Sequence, residues 1–430
     1  MSRRAIRMIA QSAAVALELG RSAFVWPMPY LRGLSEMKPS VEMTASEQPE
    51  PTGPPGPFDS ARDLRVVFVT DIMTPYTSAV FEELALRCRL TVLYSAETGS
   101  RAMQWSMESH RFHHHVIGGW SQARADAADT HPSPAVITRL AKERPDVIIS
   151  GGFAFPSLYA ALYRRTFGCR LLIHSDGTRC SEASFNGAQR FARALLARLA
   201  DGAIGNSKQA VERFEELGFA PVFEAPHSSN LEPFLQVARR RARAESGELR
   251  VIVAGRLIPR KGVDRLLYAV ALARRNGAAI ALTVVGSGEQ EALLRELAGE
   301  LGLDDVCWRG FVEQRDLAEE FAAADVFAFP TLEDPFGIVL LEAAAAGLAL
   351  IASPHAGATG DLLIEAETGF VVEPDDVDGF AGALARLATD PALRARLGQA
   401  ANTLAAKQTP THTAQAYLRA ASAICGRKAE

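Results

Sequence analysis

The strongest constraint on the fold is an alternation that runs, stops and restarts. From residue 64, short apolar runs end in Gly, Ser, Asp or Ala: LRVVFVTD, LTVLYSA, DVIISGG, RLLIHSD and GAIGNS. Segments with helical spacing, such as SAVFEELALRC and ARALLARLA, lie between them. Runs that are apolar at nearly every position suit strands covered on both faces. Strands that alternate with helices imply a parallel, doubly wound sheet. The pattern breaks in the polar, basic stretch NLEPFLQVARRRARAESGE at 230–248, then resumes with LRVIVAG, IALTVVGSG, VCWRGFV, VFAFPT, LALIASP and GFVVEP. The chain therefore reads as α/β, with two tandem Rossmann-like domains facing across a cleft. Ligands of this fold class bind in such a cleft, at the carboxyl ends of the strands. The expected division is an extension over 1–62, a first domain over 63–235, a linker over 236–248, a second domain over 249–408 and a closing helix over 409–430 that returns to the first domain.

A length of 430 residues exceeds one ordinary core, and a content of 48% apolar residues supports two. The net charge is −4 with acids and bases interspersed, which argues against a nucleic-acid partner bound through a basic stripe. The five cysteines (88, 169, 180, 307 and 425) are scattered without CxxC spacing. They read as reduced thiols of a cytoplasmic protein, not a disulfide framework or a zinc site. No apolar run is long enough to span a bilayer. The N-terminal stretch MSRRAIRMIAQSAAVALELGRSAFVWPMPYL has a basic start, but Glu18 and Arg21 interrupt its apolar body and no cleavage site follows. A secretory signal is not expected. Three readings stay open: an amphipathic helix on a membrane surface, a disordered extension, or a start codon placed too early, with Met37 or Met43 as the alternatives. SEQPEPTGPPGPFDSARD then reads as a flexible linker.

Three stretches carry chemistry. In VAGRLIPRKGVDRLLYAVALA a strand ends at Gly255, a loop carries Arg256, Arg260 and Lys261, and a helix follows with Val263, Leu266, Leu267 and Val270 on its inner face. Fixed cations at a strand end suit a diphosphate, because Arg forks onto phosphate oxygens and Lys acts as a point charge. A solvated basic turn would look the same. VVGSGEQ at 284–290 is a glycine turn between strand and helix that would let a ligand approach the backbone, but it lacks the G-x-G-x-x-G spacing of a dinucleotide fingerprint. In EDPFGIVLLEA at 333–343, Pro335 forces a turn and Gly337 opens a helix that Gly347 ends. The amides of Gly337, Ile338 and Val339 are unpaired within the first turn and form an anion site. Glu342, one turn further, would either accept two hydroxyls of a ribose or be a satisfied interior acid. Asp334 would either cap the helix or meet a second polyol. The run HHH at 113–115 sits in a strand, where neighbours point to opposite faces, so neither it nor Gly119–Trp120 makes a metal site.

GRLIPRKG followed about eighty residues later by DPFGIVLLEA resembles the retaining, nucleotide-sugar-dependent glycosyltransferases of family 4, which have the GT-B fold. The similarity covers roughly residues 64–425. The resemblance implies that Arg256 and Lys261 hold the diphosphate. It puts the family's acid pair on Asp334 and Glu342, with Asp where Glu is usual and Glu333 beside it. It also implies that the backbone at Phe311 and Val312 faces the nucleobase. LLIHSDGT is similar to the segment whose strand-end histidine faces the donor sugar, which points to His174 with Asp176 as its rival, and Pro75 and Tyr76 would border the acceptor. The activity implied is transfer of a sugar from a nucleoside diphosphate to a hydroxyl of a glycan or lipid-linked acceptor in bacterial polysaccharide or glycolipid assembly. It would use no metal and no cofactor, act in the cytoplasm and associate peripherally with the inner face of the membrane. A nucleotide-sugar epimerase and a non-catalytic nucleotide-sugar-binding protein remain as alternatives.

Overall fold

A computed structural model describes residues 62–71, 73–95, 111–117, 133–240 and 247–426. The N-terminal extension up to residue 61 and Gly119–Trp120 lie outside them. Two all-parallel sheets form. The first takes β1 (Arg65–Thr70), β2 (Arg89–Tyr94), β3 (His113–Val116), β4 (Val147–Gly151), β5 (Arg170–Ser175), β6 (Gly202–Gly205) and β7 (Val222–Glu224) in the order β3-β2-β1-β4-β5-β6-β7. The second takes β8 (Leu249–Ala254), β9 (Ile280–Val285), β10 (Cys307–Gly310), β11 (Val326–Phe329), β12 (Ala349–Ala352) and β13 (Gly369–Val371) in the order β10-β9-β8-β11-β12-β13. The strand order reverses between β1 and β4, and again between β8 and β11. These are the switch points that open a ligand crevice.

The central strands of each sheet are buried on both faces, which is why they lack alternation. Val66 and Phe68 enter one core of the first domain while Val67 and Val69 enter the other. Val251 and Val253 oppose Ile252 and Ala254 in the same way in the second. All six expected strands of the second domain form. The first domain adds β7, the three-residue run Val-Phe-Glu, too short and too polar to stand out in the sequence. Within β3, His113 and His115 share a face with ring centroids 4.9 Å apart, and His114 turns the other way, toward Tyr94.

The expected linker needs correction. Residues 236–240 continue a helix, Glu232–Arg240, whose Phe234 and Val237 are buried beside Phe321 and Phe327 in the second domain. One apolar stripe outweighs the basic face that carries Arg239 and Arg240, because burial of two large side chains is worth several kcal/mol at ~1.5–3 kcal/mol each. The passage between domains is therefore the segment 225–231, upstream of the basic run.

The closing helix, Pro410–Ile424, leaves the second domain and lies on the first. The Thr409 side chain caps it by accepting from the His412 amide at 3.1 Å. Ala414, Tyr417, Leu418 and Ala421 join the core built on Phe68 and Phe81. Thr411 donates to Glu83 at 2.9 Å on the helix Pro75–Ala85, and Thr413 donates to the Pro226 carbonyl at 2.6 Å.

Past β5, the chain wraps around a buried carboxylate. Glu182, with its side chain 2% exposed, accepts from Arg193 Nε at 2.8 Å and from Arg213 Nε at 2.9 Å. The Arg193 guanidinium lies 4.3 Å from the Phe153 ring centroid and 4.1 Å from that of Phe185. Glu182 thus ties two helices, Gly187–Leu199 and Lys208–Glu216, to the loop that carries Asp176. Gly177 makes room for it: a Cβ there would stand 2.8 Å from Glu182 Oε1.

Candidate functional site

The cleft between the sheets is walled on the second-domain side by three strand ends. Arg256, Arg260 and Lys261 follow β8, Phe311 and Val312 follow β10, and Asp334 to Val339 follow β11. The first and last of these loops are joined. Arg260 donates to the Glu333 carbonyl at 2.9 Å, Thr331 donates to the Arg260 carbonyl at 2.9 Å, and the Leu332 amide reaches the same carbonyl at 2.8 Å. Gly262 allows this contact, because a Cβ there would fall 2.1 Å from the Pro330 carbonyl oxygen.

The glycine turn after β9 has a different partner from the one expected. A Cβ on Gly286 would fall 1.8 Å from the Gly255 oxygen, and one on Gly288 2.3 Å from the Leu257 oxygen. The backbone that approaches these glycines is the loop carrying Arg256, and no ligand is needed to explain them.

Lys261 and Asp334 form an ion pair, each side chain 13% exposed. Burial pulls the Lys261 ammonium down from its ordinary range, while Asp334 opposes that shift. Asp334 caps no helix. Its amide donates to the His355 carbonyl and its carbonyl accepts from the Gly357 amide, both at 3.1 Å. The helix Ile338–Ala345 starts instead at Gly337, at φ 87° and without a side-chain cap. A Cβ on Gly337 would meet the Phe329 ring at 2.8 Å, so glycine brings this helix start down onto the end of β11.

Glu342 projects from that helix and is 3% exposed. Its Oε1 accepts from Ser229 Oγ at 3.0 Å and from Gln314 Nε2, and Gln314 Nε2 also donates to Ser229 Oγ at 2.6 Å. Ser229 lies in the passage between domains, and Gln314 opens the helix Gln314–Ala322, two residues past Val312. Burial raises the Glu342 carboxyl to about 7, and both hydrogen bonds oppose the rise. Phe311 is 45% exposed at the cleft-facing end of β10.

Across the cleft, His174 is the next-to-last residue of β5 and turns into its own domain. Its Nε2 lies 2.7 Å from Tyr417 Oη on the returning helix, and its ring meets Phe68 edge-on. Burial lowers it to about 3, so it stays neutral at physiological pH. It lines a small cavity with Thr70, Tyr76, Thr77 and Thr413. Tyr76 therefore joins His174, and Pro75 begins the helix Pro75–Ala85 beside them. Asp176, the rival of His174 in the sequence, is 45% exposed. Its Oδ2 lies 3.9 Å from His227 Nε2, and the His227 ring packs on Phe336 of the donor-side loop with centroids 4.7 Å apart. His227, Ser229 and Gln314 were missed in the sequence. The signal for the first two was their place, HSSN, just before an amphipathic helix at a break in the alternation. Among the described residues, no group of three or more His, Cys, Asp or Glu is placed to hold a metal ion, and no helix is long and apolar enough to cross a membrane.

The family model for glycosyl transferases group 1 matches residues 236–404. A GDP-mannose-dependent α-(1-6)-phosphatidylinositol monomannoside mannosyltransferase of Mycobacterium tuberculosis is 32% identical over 296 residues, which cover 63% of this chain and 75% of the relative. The chain belongs to the group 1 glycosyltransferases. The protein of the same name from Mycolicibacterium smegmatis is 36% identical over 172 residues, 38% of this chain and 45% of that one, so the alignment spans less than half of that relative. In fold, this group 1 glycosyltransferase is similar to HepE of Anabaena, solved in complex with UDP, at a TM-score of 0.68 and 19% identity over 84% of this chain and all of that one. The GT-B arrangement of the two sheets follows from that likeness.

Proposed function

We propose that this chain is a retaining, metal-independent glycosyltransferase that moves a sugar from a nucleoside-diphosphate sugar to a hydroxyl of a glycolipid or glycan acceptor. The observation that carries the reading is Glu342, a carboxylate buried on an otherwise apolar helix where the two domains meet. Ser229 and Gln314 meet its Oε1, and the diol of a ribose supplies two hydroxyls to its Oε2. Arg256 and Lys261 hold the diphosphate, with the amides of Gly337, Ile338 and Val339, and these groups stabilise charge that builds on the leaving phosphate. The nucleobase lies along Phe311 and Val312. The bond from the anomeric carbon to the phosphate oxygen breaks, the acceptor oxygen bonds to the same face of that carbon, and the acceptor proton passes to the leaving phosphate. Asp334 and Asp176 face the sugar from opposite sides, with Pro75 and Tyr76 on the acceptor side. The names of the relatives support GDP-mannose as the first donor to try and inositol-bearing lipids as the first acceptors.

A thermal-shift panel of nucleotide sugars tests the donor, because a ligand bound only to the native state raises its melting temperature. Donor turnover is then followed with and without phosphatidylinositol mannosides and inositol phosphate. Product that appears only with an acceptor supports a transferase. Epimerised donor formed without acceptor would assign an epimerase, and binding without turnover a binding protein. With cations in place of a metal, transfer should persist at full rate in excess EDTA. Loss of activity that Mg²⁺ or Mn²⁺ restores would remove Arg256 and Lys261 from the diphosphate.

A further inference from the structure

We infer that Gln314 is a positioning residue for Glu342: with Ser229 it saturates one carboxylate oxygen, so that the other is presented, ionised, to the ribose diol. The inference rests on the donor reading above. The hydrogens fix the directions. Gln314 Nε2 carries two, and its neighbours within reach are Ser229 Oγ at 2.6 Å and Glu342 Oε1. Ser229 Oγ carries one and directs it to Glu342 Oε1 at 3.0 Å. The triangle closes only when Ser229 accepts from Gln314 and donates to Glu342, so Oε1 receives two hydrogens and is full. Oε2 is left for a ligand. Both donors are uncharged, and the helix bearing Glu342 brings no cation to it.

The charged groups on the elements around Glu342 are engaged elsewhere. Arg239 pairs with Glu232 on the helix Glu232–Arg240, and Arg315 pairs with Glu313 and Asp316 beside Gln314. Arg394 donates to the Leu387 carbonyl from the helix Pro391–Ala405. Asp361 accepts from the Lys208 amide. Asp334 pairs with Lys261, and Arg256 stands at the end of β8. Burial alone pushes this carboxyl up, and the two donors act against it. Gln314 thereby favours the form of Glu342 that accepts from two hydroxyls at once.

The test follows the Glu342 carboxyl by ¹³C NMR in the ligand-free protein, assigned by its loss in Glu342→Gln, together with titration calorimetry using GDP and UDP at pH 6.5 and 9. Removing the donor with Gln314→Leu should raise the titration midpoint of Glu342, and Gln314→Lys should lower it, because an ammonium favours the anion. Diphosphate affinity in Gln314→Leu should fall by about tenfold at pH 6.5, the size of one hydrogen bond to a charged group, and recover to within about threefold of the parent at pH 9. A merely structural Gln314 would give losses equal at both pH values and midpoints displaced in the same direction by Leu and Lys. Either result, or an unmoved midpoint, overturns the inference. If the parent binds neither GDP nor UDP while the two midpoints still move in opposite directions, the donor reading falls and the coupling of Gln314 to the carboxyl stands.

Discussion

Glu342→Gln is expected to weaken ligand binding and strengthen the ligand-free fold at the same time. The carboxyl sits at about 7 in the folded chain against an ordinary 4.5, because burial disfavours the anion. Between those values the native state keeps a proton that the unfolded chain has released. The unfolded state then binds fewer protons, so stability falls as pH rises from about 4.5 to 7, and the whole cost is present above that range. A pKa difference of this size corresponds to a cost on the order of 3 kcal/mol. Glutamine is neutral at every pH and escapes it. In urea unfolding at pH 8 the Glu342→Gln chain should be more stable than the parent by ~2–3 kcal/mol, and at pH 4.5 the two should nearly coincide. The same change removes a charged acceptor from the ligand, typically ~1.5–3 kcal/mol or about tenfold to a hundredfold in affinity. Calorimetric titration with nucleoside diphosphate, no sugar attached, should show that loss. Unchanged diphosphate affinity would remove Glu342 from the ribose, and unchanged stability at pH 8 would mean that the carboxyl is not strained by burial.

Glu182→Ala should be the most damaging single change away from the cleft. Glu182 is shared by Arg193 and Arg213, and Arg193 is 10% exposed between two phenylalanine rings. Without the carboxylate, the buried Arg193 guanidinium loses its counter-charge while Arg213 keeps Glu216 at 3.1 Å, and a broken buried pair costs ~3–5 kcal/mol. Glu182→Gln keeps an acceptor and should cost less. Urea midpoints for the two variants measure the difference, and a loss under about 1 kcal/mol for the alanine variant would show that water reaches both arginines. Because the loop between Glu182 and β5 carries Asp176, turnover should fall even at temperatures where Glu182→Ala remains folded.

The parts of this molecule that the sequence announces are those whose signal is local. A strand buried on both faces is apolar at every position, so β11 and β12 declare themselves, as does the helix inside EDPFGIVLLEA. The two motifs spaced about eighty residues apart meet once those elements are stacked, through Arg260 with Glu333 and Lys261 with Asp334. What stays hidden depends on partners distant in sequence. The glycines after β9 look the same whether a ligand or another loop approaches them. His174 reads as a cleft residue by its strand end, yet Tyr417, 243 residues later, draws the ring inward. Lys261 reads as free for phosphate, and its pairing with Asp334 joins two motifs that are separate in the chain. Ser229 is marked only by its place before a helix, and Gln314 carries no signal of its own, since an unexceptional glutamine acquires a role only from the carboxylate it meets. Helix 232–240 was obscured by its own surface, because Arg239 and Arg240 suggested a solvated linker where Phe234 and Val237 decide the packing.

The return of the helix Pro410–Ile424 to the first domain reverses the usual order in which a two-domain chain matures. A ribosome releases the first domain early, but that domain cannot close its core over Phe68 and Phe81 until Tyr417 and Leu418 have been made. Throughout synthesis of the second domain, the face of the first sheet that will receive this helix is uncovered. The second domain draws Phe234 and Val237 from within its reach and can complete itself first. The nascent chain therefore carries an open apolar surface over more than two hundred residues of translation, counted from β6 to the helix. A premature stop anywhere before residue 410 strands the first domain with that surface exposed, whatever the state of the second.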